Sequence, residues 1–256
     1  MKYVNSLLRG ATITIGLLFF ALPIYASSAF AFKDREGNFS LAPLQRAGAN
    51  EELMESLFLT LQIAIGTVVI TLLLLIPTIA FLHLVLPQAR TFVEFLTLTP
   101  LVIPPIVQGV GFLYSMPTQL KSTPNALIFA YVILALPFSY RAIDAAFSTI
   151  DVKTLYEAST SLGANFLTVI RTVIVPNVLN GIFGAMFLTI ALVLGEFAYA
   201  SLLLWDTFPT QLAVAGLSDA NTAVALSVVS LVGVWLILNG LTLFNRRSNT
   251  TTIGAL

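Results

Sequence analysis

The chain has no cysteine and a single histidine, His83. The first absence excludes disulfides, thiolate nucleophiles and iron–sulfur ligation, and the second excludes a multi-histidine metal site. Charge is scarce as well: 9% of residues are Asp, Glu, Lys or Arg, and twelve bases against twelve acids leave no net charge. Nothing in that balance points to nucleic acid or an acidic partner. None of Lys2, Lys33, Lys121 or Lys153 follows a glycine, so the Gly-Lys pair with which a P-loop cradles phosphates is missing. What fills the chain instead is apolar. Hydrophobic residues make up 57% of it and the mean hydropathy is +0.94, the composition of an integral membrane protein.

A bilayer core of about 30 Å takes about 20 apolar residues in helical form. Six stretches approach that length: Ala11–Phe32, Leu57–Leu82, Phe92–Tyr114, Asn125–Tyr140, Gly181–Leu204 and Ala223–Phe244. The fourth is short and holds Pro137, but Ala142 to Phe147 can extend it beyond Arg141. The apolar runs are continuous, without the two-residue alternation of a barrel strand. The expected fold class is therefore all-α: a polytopic bundle of six transmembrane helices. With no internal repeat and no Pro/Gly/Ser-rich linker, residues 1–256 read as one membrane domain.

An even number of spans puts both termini on one side. Lys2, Arg9, Arg90, Arg141, Lys153, Arg171, Arg246 and Arg247 share it, against Lys33, Arg35, Arg46 and Lys121 on the other. The positive-inside rule makes the first side cytoplasmic. A second reading of the N-terminus is a signal peptide, since Lys2 and Arg9 precede an apolar run ending in Ala29-Phe30-Ala31. Cleavage there would leave five spans and an external N-terminus.

Two spans carry irregular features. The third contains Pro100, Pro104 and Pro105 with Gly109 and Gly111, which break backbone hydrogen bonds and predict a kink, either for packing or for coordinating a ligand. The fifth holds Glu196, and an ionisable group inside a membrane faces protein or water by default. On a continuous helix Thr189, Glu196 and Tyr199 lie near one face, the candidate translocation path; Glu196 could equally serve structure alone. Gln108, Tyr114, Ser227, Ser230 and Asn239 are further polar groups for such a path or for interhelical hydrogen bonds.

Between the fourth and fifth spans lies a weakly hydrophobic island, Leu155 to Ile182. Leu155, Ala158, Leu162 and Phe166 recur at helical spacing, Asp151 can cap the start, and Gly163 can turn the chain. A second short helix follows from Asn165 to Val175, with Phe166, Val169, Ile170 and Val173 on one side, closed by Pro176. Periodicity alone would leave this helix-turn-helix lying on the membrane surface.

The island also reads Glu157-Ala158-Ser159, three residues, Gly163, nine residues, then Val173-x-Val175-Pro176. That pattern resembles the EAA signature of type I ABC importer permeases, Glu-Ala-Ala, three residues, Gly, nine residues, Ile-x-Leu-Pro. Ser159, Val173 and Val175 depart from it and keep small or aliphatic character. The resemblance implies a cytoplasmic coupling loop in which Glu157, Ala158, Ser159, Gly163 and Pro176 shape the dock for an ATPase. It implies no cofactor in this chain, with ATP and Mg held by a dimer of ABC ATPase subunits. The other partners it implies are a second permease subunit, identical or paralogous, an extracytoplasmic substrate-binding protein and the lipid bilayer of a prokaryotic cell membrane. The run Gly195-Glu196-Phe197 is similar to permeases of the polyamine, sulfate/molybdate, iron and phosphonate branches. The region from Gly195 to Phe208 looks most like the spermidine/putrescine type, which would suit an acidic path residue. A secondary transporter or channel would show repeated broken spans or charged relays, and an intramembrane enzyme a fuller catalytic constellation.

Overall fold

The computed structural model describes the backbone of residues 2–33 and 37–250, and side chains of 9–33 and 37–236. Lys2, Arg35, Asn239, Arg246 and Arg247 lie outside the residues whose side chains are described. The described chain is helical, with one isolated antiparallel bridge between Lys33 and Phe39. In order, the helices are α1 (Lys2–Ala31), α2 (Ala42–Ala49), α3 (Glu51–Leu84), α4 (Arg90–Val102), α5 (Pro105–Ser115), α6 (Thr118–Lys121), α7 (Ala126–Phe147), α8 (Val152–Ser161), α9 (Phe166–Val169), α10 (Val175–Asn177), α11 (Leu179–Gly195), α12 (Ala198–Leu202), α13 (Phe208–Ser218) and α14 (Ala220–Thr250).

Arg9–Ala31, Glu51–Leu84 and Ala126–Phe147 are long and apolar enough to cross a membrane unaided. Two bent pairs raise the number to as many as five among the described residues. The first pair makes the kink expected of the third span, and makes it sharp: Pro87–Val102 and Pro105–Ser115 meet at 103°. Ile103, forced extended by the proline after it (φ −87°, ψ 128°), ends α4, and Pro105 opens α5 where a missing N–H costs nothing. The second pair, Phe166–Asn177 and Leu179–Gly195, is bent by 81°. It shows that the fifth stretch is a helix only to Gly195, not to Leu204. The fourth stretch does run on to Phe147, through Pro137. The sixth falls in α14, whose described apolar part is Ala220–Leu236.

The chain forms two compact units. In one, residues 1–55 and 211–237, the apolar stretch of α1 within Arg9–Ala31 is left almost wholly unburied, as a lipid-facing helix would be, until Ala31 tucks in at its end. There Arg46 on α2 pairs with Asp219 at 2.8 Å, and Asn221 donates to the Phe30 carbonyl at 3.0 Å. Asp219 also caps α14, accepting from the Thr222 amide at 3.1 Å.

The other unit, centred on residues 56–210, is organised by α7 and α11. Gly181 lets the two backbones approach: a Cβ there would strike Ala146 Cβ and lie 2.6 Å from the Ala142 carbonyl oxygen. Small residues are the usual currency of helix contact in lipid, where no hydrophobic drive exists between helices. Ser139 and Thr189 then share a hydrogen bond of 2.9 Å across the same interface. Since 181 meets 142–146 and 189 meets 139, the helices run antiparallel. The segment joining them, residues 148–178, holds most of the island, whose last residues open α11.

Candidate functional site

The joining segment begins with a cap. The Asp151 carboxylate accepts from the Thr154 amide at 3.1 Å and its hydroxyl at 2.7 Å, as its position before a helix predicts. Those bonds, the hydroxyl first, hold the Asp151 carboxyl below the usual carboxylate range. The end of α8 is a Schellman motif: Ala164 N–H reaches back to the Ser159 carbonyl (3.1 Å) and Gly163 N–H to Thr160 (2.9 Å). That geometry requires a left-handed residue, and Gly163 supplies it at φ +89°. The four-residue step from Ser159 to Gly163 is thus the step between the third-last helical residue and the turn. Asn165 caps α9 through the Thr168 amide at 2.9 Å, and Tyr156 meets Phe166 edge-on across the turn, centroids 6.3 Å apart.

The second helix is less regular than the spacing predicts. Ile170–Ile174 is a π-helical turn between α9 and α10. Pro176, which cannot donate to the helical ladder, sits inside α10 rather than closing the helix. The Asn177 side chain satisfies the Val173 carbonyl at 2.7 Å, and the chain swings into α11 at Val178.

The expected apolar stripe of the first helix faces the other way, while Val169 and Ile170 of the second turn inward as expected. Val152, Val169, Ile170, Ile174 and Val178 are buried in one core with Phe147, Ile143 and Tyr140 of α7 and Leu75, Ile79 and Leu82 of α3. Ala158 and Leu162 of the predicted stripe are exposed instead, Leu162 to 90% and the neighbouring Leu167 to 73%. Glu157 is exposed beside them, paired only loosely with Lys153 at 3.9 Å, a separation worth little at a surface. One face of the loop is therefore bolted to the membrane helices while the other offers Glu157, Ala158, Leu162 and Leu167 outward.

The candidate path residues separate into two groups. Helix α11 ends at Gly195 and Glu196 is extended (φ −82°, ψ 117°), so no continuous face joins Thr189, Glu196 and Tyr199. Thr189 is buried and bonded to Ser139. The Glu196 carboxylate caps the next helix, accepting from the Tyr199 amide at 3.0 and 3.2 Å through its two oxygens. Tyr199 in turn donates its hydroxyl to Gln108 Oε1 at 2.9 Å. The Gln108 amide then donates to the Ile103 carbonyl at 2.6 Å and to Pro100. Those are carbonyls the proline break leaves without helical partners. The Tyr131 ring packs edge-on to Tyr199 with centroids 6.4 Å apart, its buried hydroxyl close to the Glu196 carboxylate. The kink and the break after α11 are thus one structure, in which Gly109 admits Leu202 into close contact. Ser227 bonds back to the Ala223 carbonyl of its own helix. Among the described residues no group of three or more His, Asp or Glu could hold a metal ion.

Sequence reasoning missed a charged cluster at the loop end of the bundle. Asp144, near the end of α7, accepts from His83 Nε2 at 2.9 Å and from Arg90 at 3.1 and 2.9 Å. Arg90 also donates to Ser148 Oγ at 3.0 Å. The available signal was an acidic residue within an otherwise apolar span, which in a membrane asks for a named partner.

Residues 64–249 match the family model described as binding-protein-dependent transport system inner membrane component. A probable molybdenum ABC transporter permease protein of Haloferax volcanii is 32% identical over 169 residues, covering 60% of this chain and 62% of its own length. The molybdenum transport system permease proteins ModB of Mycobacterium bovis and Mycobacterium tuberculosis are each 27% identical over 208 residues, 72% of this chain and 77% of theirs. With a family match over most of its length, around a loop anchored on one face and open on the other, the chain belongs to the binding-protein-dependent transport system inner membrane components.

Proposed function

We propose that this chain is the membrane-spanning permease subunit of an ATP-driven ABC importer, with six spans and both termini in the cytoplasm. It forms half of the solute path beside a second permease subunit, identical or paralogous. ATP and Mg are bound by a separate ATPase pair, and an extracytoplasmic binding protein delivers the solute. The observation that carries this reading is the loop of residues 148–178: its buried face joins the core of α3 and α7, and its open face presents Glu157, Ala158 and Leu162. Ser159 and Gly163 set the turn, and Pro176 lies two residues before Val178, where the chain swings into α11. An ATPase that binds this face more tightly in one permease state than the other does work on the path; equal binding would do none.

The solute favoured is an oxyanion of the molybdate class. The relatives that carry a named solute are molybdenum permeases, and Glu196 has a structural task of its own, since its carboxylate accepts from the Tyr199 amide. Spermidine or putrescine is the second reading, resting on the likeness of Gly195 to Phe208. In this account Gln108, Glu196 and Tyr199 shape the path by holding its broken segments together, and Thr189 by fixing α11 to α7.

The test is reconstitution of the complex in proteoliposomes with its ATPase and binding protein. Expected is uptake of labelled molybdate that requires ATP and is not competed by spermidine. Spermidine uptake without molybdate uptake would restore the polyamine reading, and uptake driven by an ion gradient without ATP would point to a secondary transporter.

A further inference from the structure

The cluster around Asp144 joins three helices at the point where the loop leaves α7. His83 is in the last turn of α3, Arg90 is the first residue of α4, and Asp144 is in the last turn of α7. Ser148 closes the ring: it accepts from Arg90 and donates to the Asp144 carbonyl at 2.9 Å, which fixes the C-terminus of α7. The His83 ring lies 5.4 Å from that of Phe147. Phe147 is fully buried against the same core as Val152, Val169 and Ile174 of the loop. Only residues 148–151, from Ser148 of this ring to the Asp151 cap, join α7 to α8.

A loop pushed by a partner could flex at that four-residue joint and leave the helices where they were. The ring opposes such slippage. Charge-assisted hydrogen bonds are short, directional and stronger than neutral ones, and three of them meet on one carboxylate whose side chain is 19% exposed. Displacement of Val152 and Phe147 is then passed to α3 and α4 as well as to α7. We propose that Asp144, with His83 and Arg90, is a positioning clamp that transmits the movement of the loop to the transmembrane helices, so that ATP hydrolysis and solute passage stay coupled.

This proposal rests on the importer reading, and the experiment separates the two. Wild type, Asp144→Asn, Arg90→Ala and Asp144→Glu are compared as complete complexes in proteoliposomes, measuring ATP hydrolysis and molybdate uptake on the same preparation. Asp144→Asn keeps the shape and loses the charge; Arg90→Ala keeps the His83–Asp144 pair, so one variant remains if the other does not assemble. The expected result is hydrolysis near wild type with uptake per ATP lowered on the order of tenfold, inside the usual range for coupling between sites. Asp144→Glu should recover part of the ratio. A fall of hydrolysis and uptake in the same proportion, or no change in either, would overturn the clamp. A wild-type complex without ATP-dependent uptake of either molybdate or spermidine would overturn the importer reading itself.

Discussion

Gly181 is the position where the packing of α7 and α11 makes the sharpest demand. Adding one methyl group in Gly181→Ala places a carbon against Ala146 Cβ, 2.6 Å from the Ala142 carbonyl oxygen and 3.3 Å from Ile143 Cα. Comfortable carbon contacts need about 3.5–4.0 Å, so α11 must retreat by roughly 1 Å, away from backbone that cannot rotate aside. The retreat also stretches the Ser139–Thr189 hydrogen bond. Overpacking of this kind costs about 1–3 kcal/mol, offset by up to about 1 kcal/mol from replacing glycine within a helix. Gly184→Ala is the internal control, because its nearest neighbour would be Ala142 Cβ at an ordinary 3.8 Å. In a thermal scan of the detergent-solubilised protein, about 2–4 °C per kcal/mol for a chain of this size, Gly181→Ala should melt several degrees below wild type. Gly184→Ala should melt at or above it. Equal melting of the two variants would refute the close approach of α7 and α11.

Three further outcomes follow from local geometry. Gly163→Ala meets open space, so its cost is conformational, about 1–2 kcal/mol for a non-glycine residue held at positive φ; it should weaken pull-down of the ATPase and lower the melting temperature by about 2–8 °C. Tyr199→Phe leaves Gln108 Oε1 without its donor and should lower stability by about 1 kcal/mol, read in the same thermal scan. Asp219 is held at about 2 by hydrogen bonds from Arg46 and then Thr222, below the roughly 3.9 of an unfolded aspartate. Its stabilising effect is complete above pH about 4 and is lost as pH falls toward 2, so wild type and Arg46→Ala should differ by the same margin at pH 5 and pH 8 and converge only in strong acid.

Much of this architecture is legible in the residues. Apolar length alone locates α1, α3 and α7, and the prolines at 104 and 105 announce the break that the structure makes at Ile103. Asp151 and Gly163 behave as their chemistry requires, one accepting from helix amides and the other supplying a left-handed turn. What misleads is the assumption of continuity. No proline stops α11, but the Glu196 carboxylate captures the Tyr199 amide and begins a new helix, so a helical wheel drawn through Thr189, Glu196 and Tyr199 describes a helix that does not exist. The stripe of Leu155, Ala158 and Leu162 has the period of a buried face, yet Val152 and Tyr156 pack inward because Phe147 and Ile174 lie there. Periodicity gives the stripe and not the side on which a core will form. The ring around Asp144 is assembled from residues 54 to 61 positions apart, a distance over which neither spacing nor composition carries information.

The central claim is that the open face of the loop meets an ATPase in the cytoplasm, and the absence of native cysteine makes one measurement direct. A single cysteine is introduced at Leu162, the most exposed apolar residue of that face, and the chain is co-expressed with its ATPase in intact cells. The account predicts protection from a membrane-impermeant thiol reagent added outside, and a specific crosslink to the ATPase when a bifunctional reagent enters the cell. Labelling of Leu162→Cys from outside, with no crosslink to the ATPase, would contradict it.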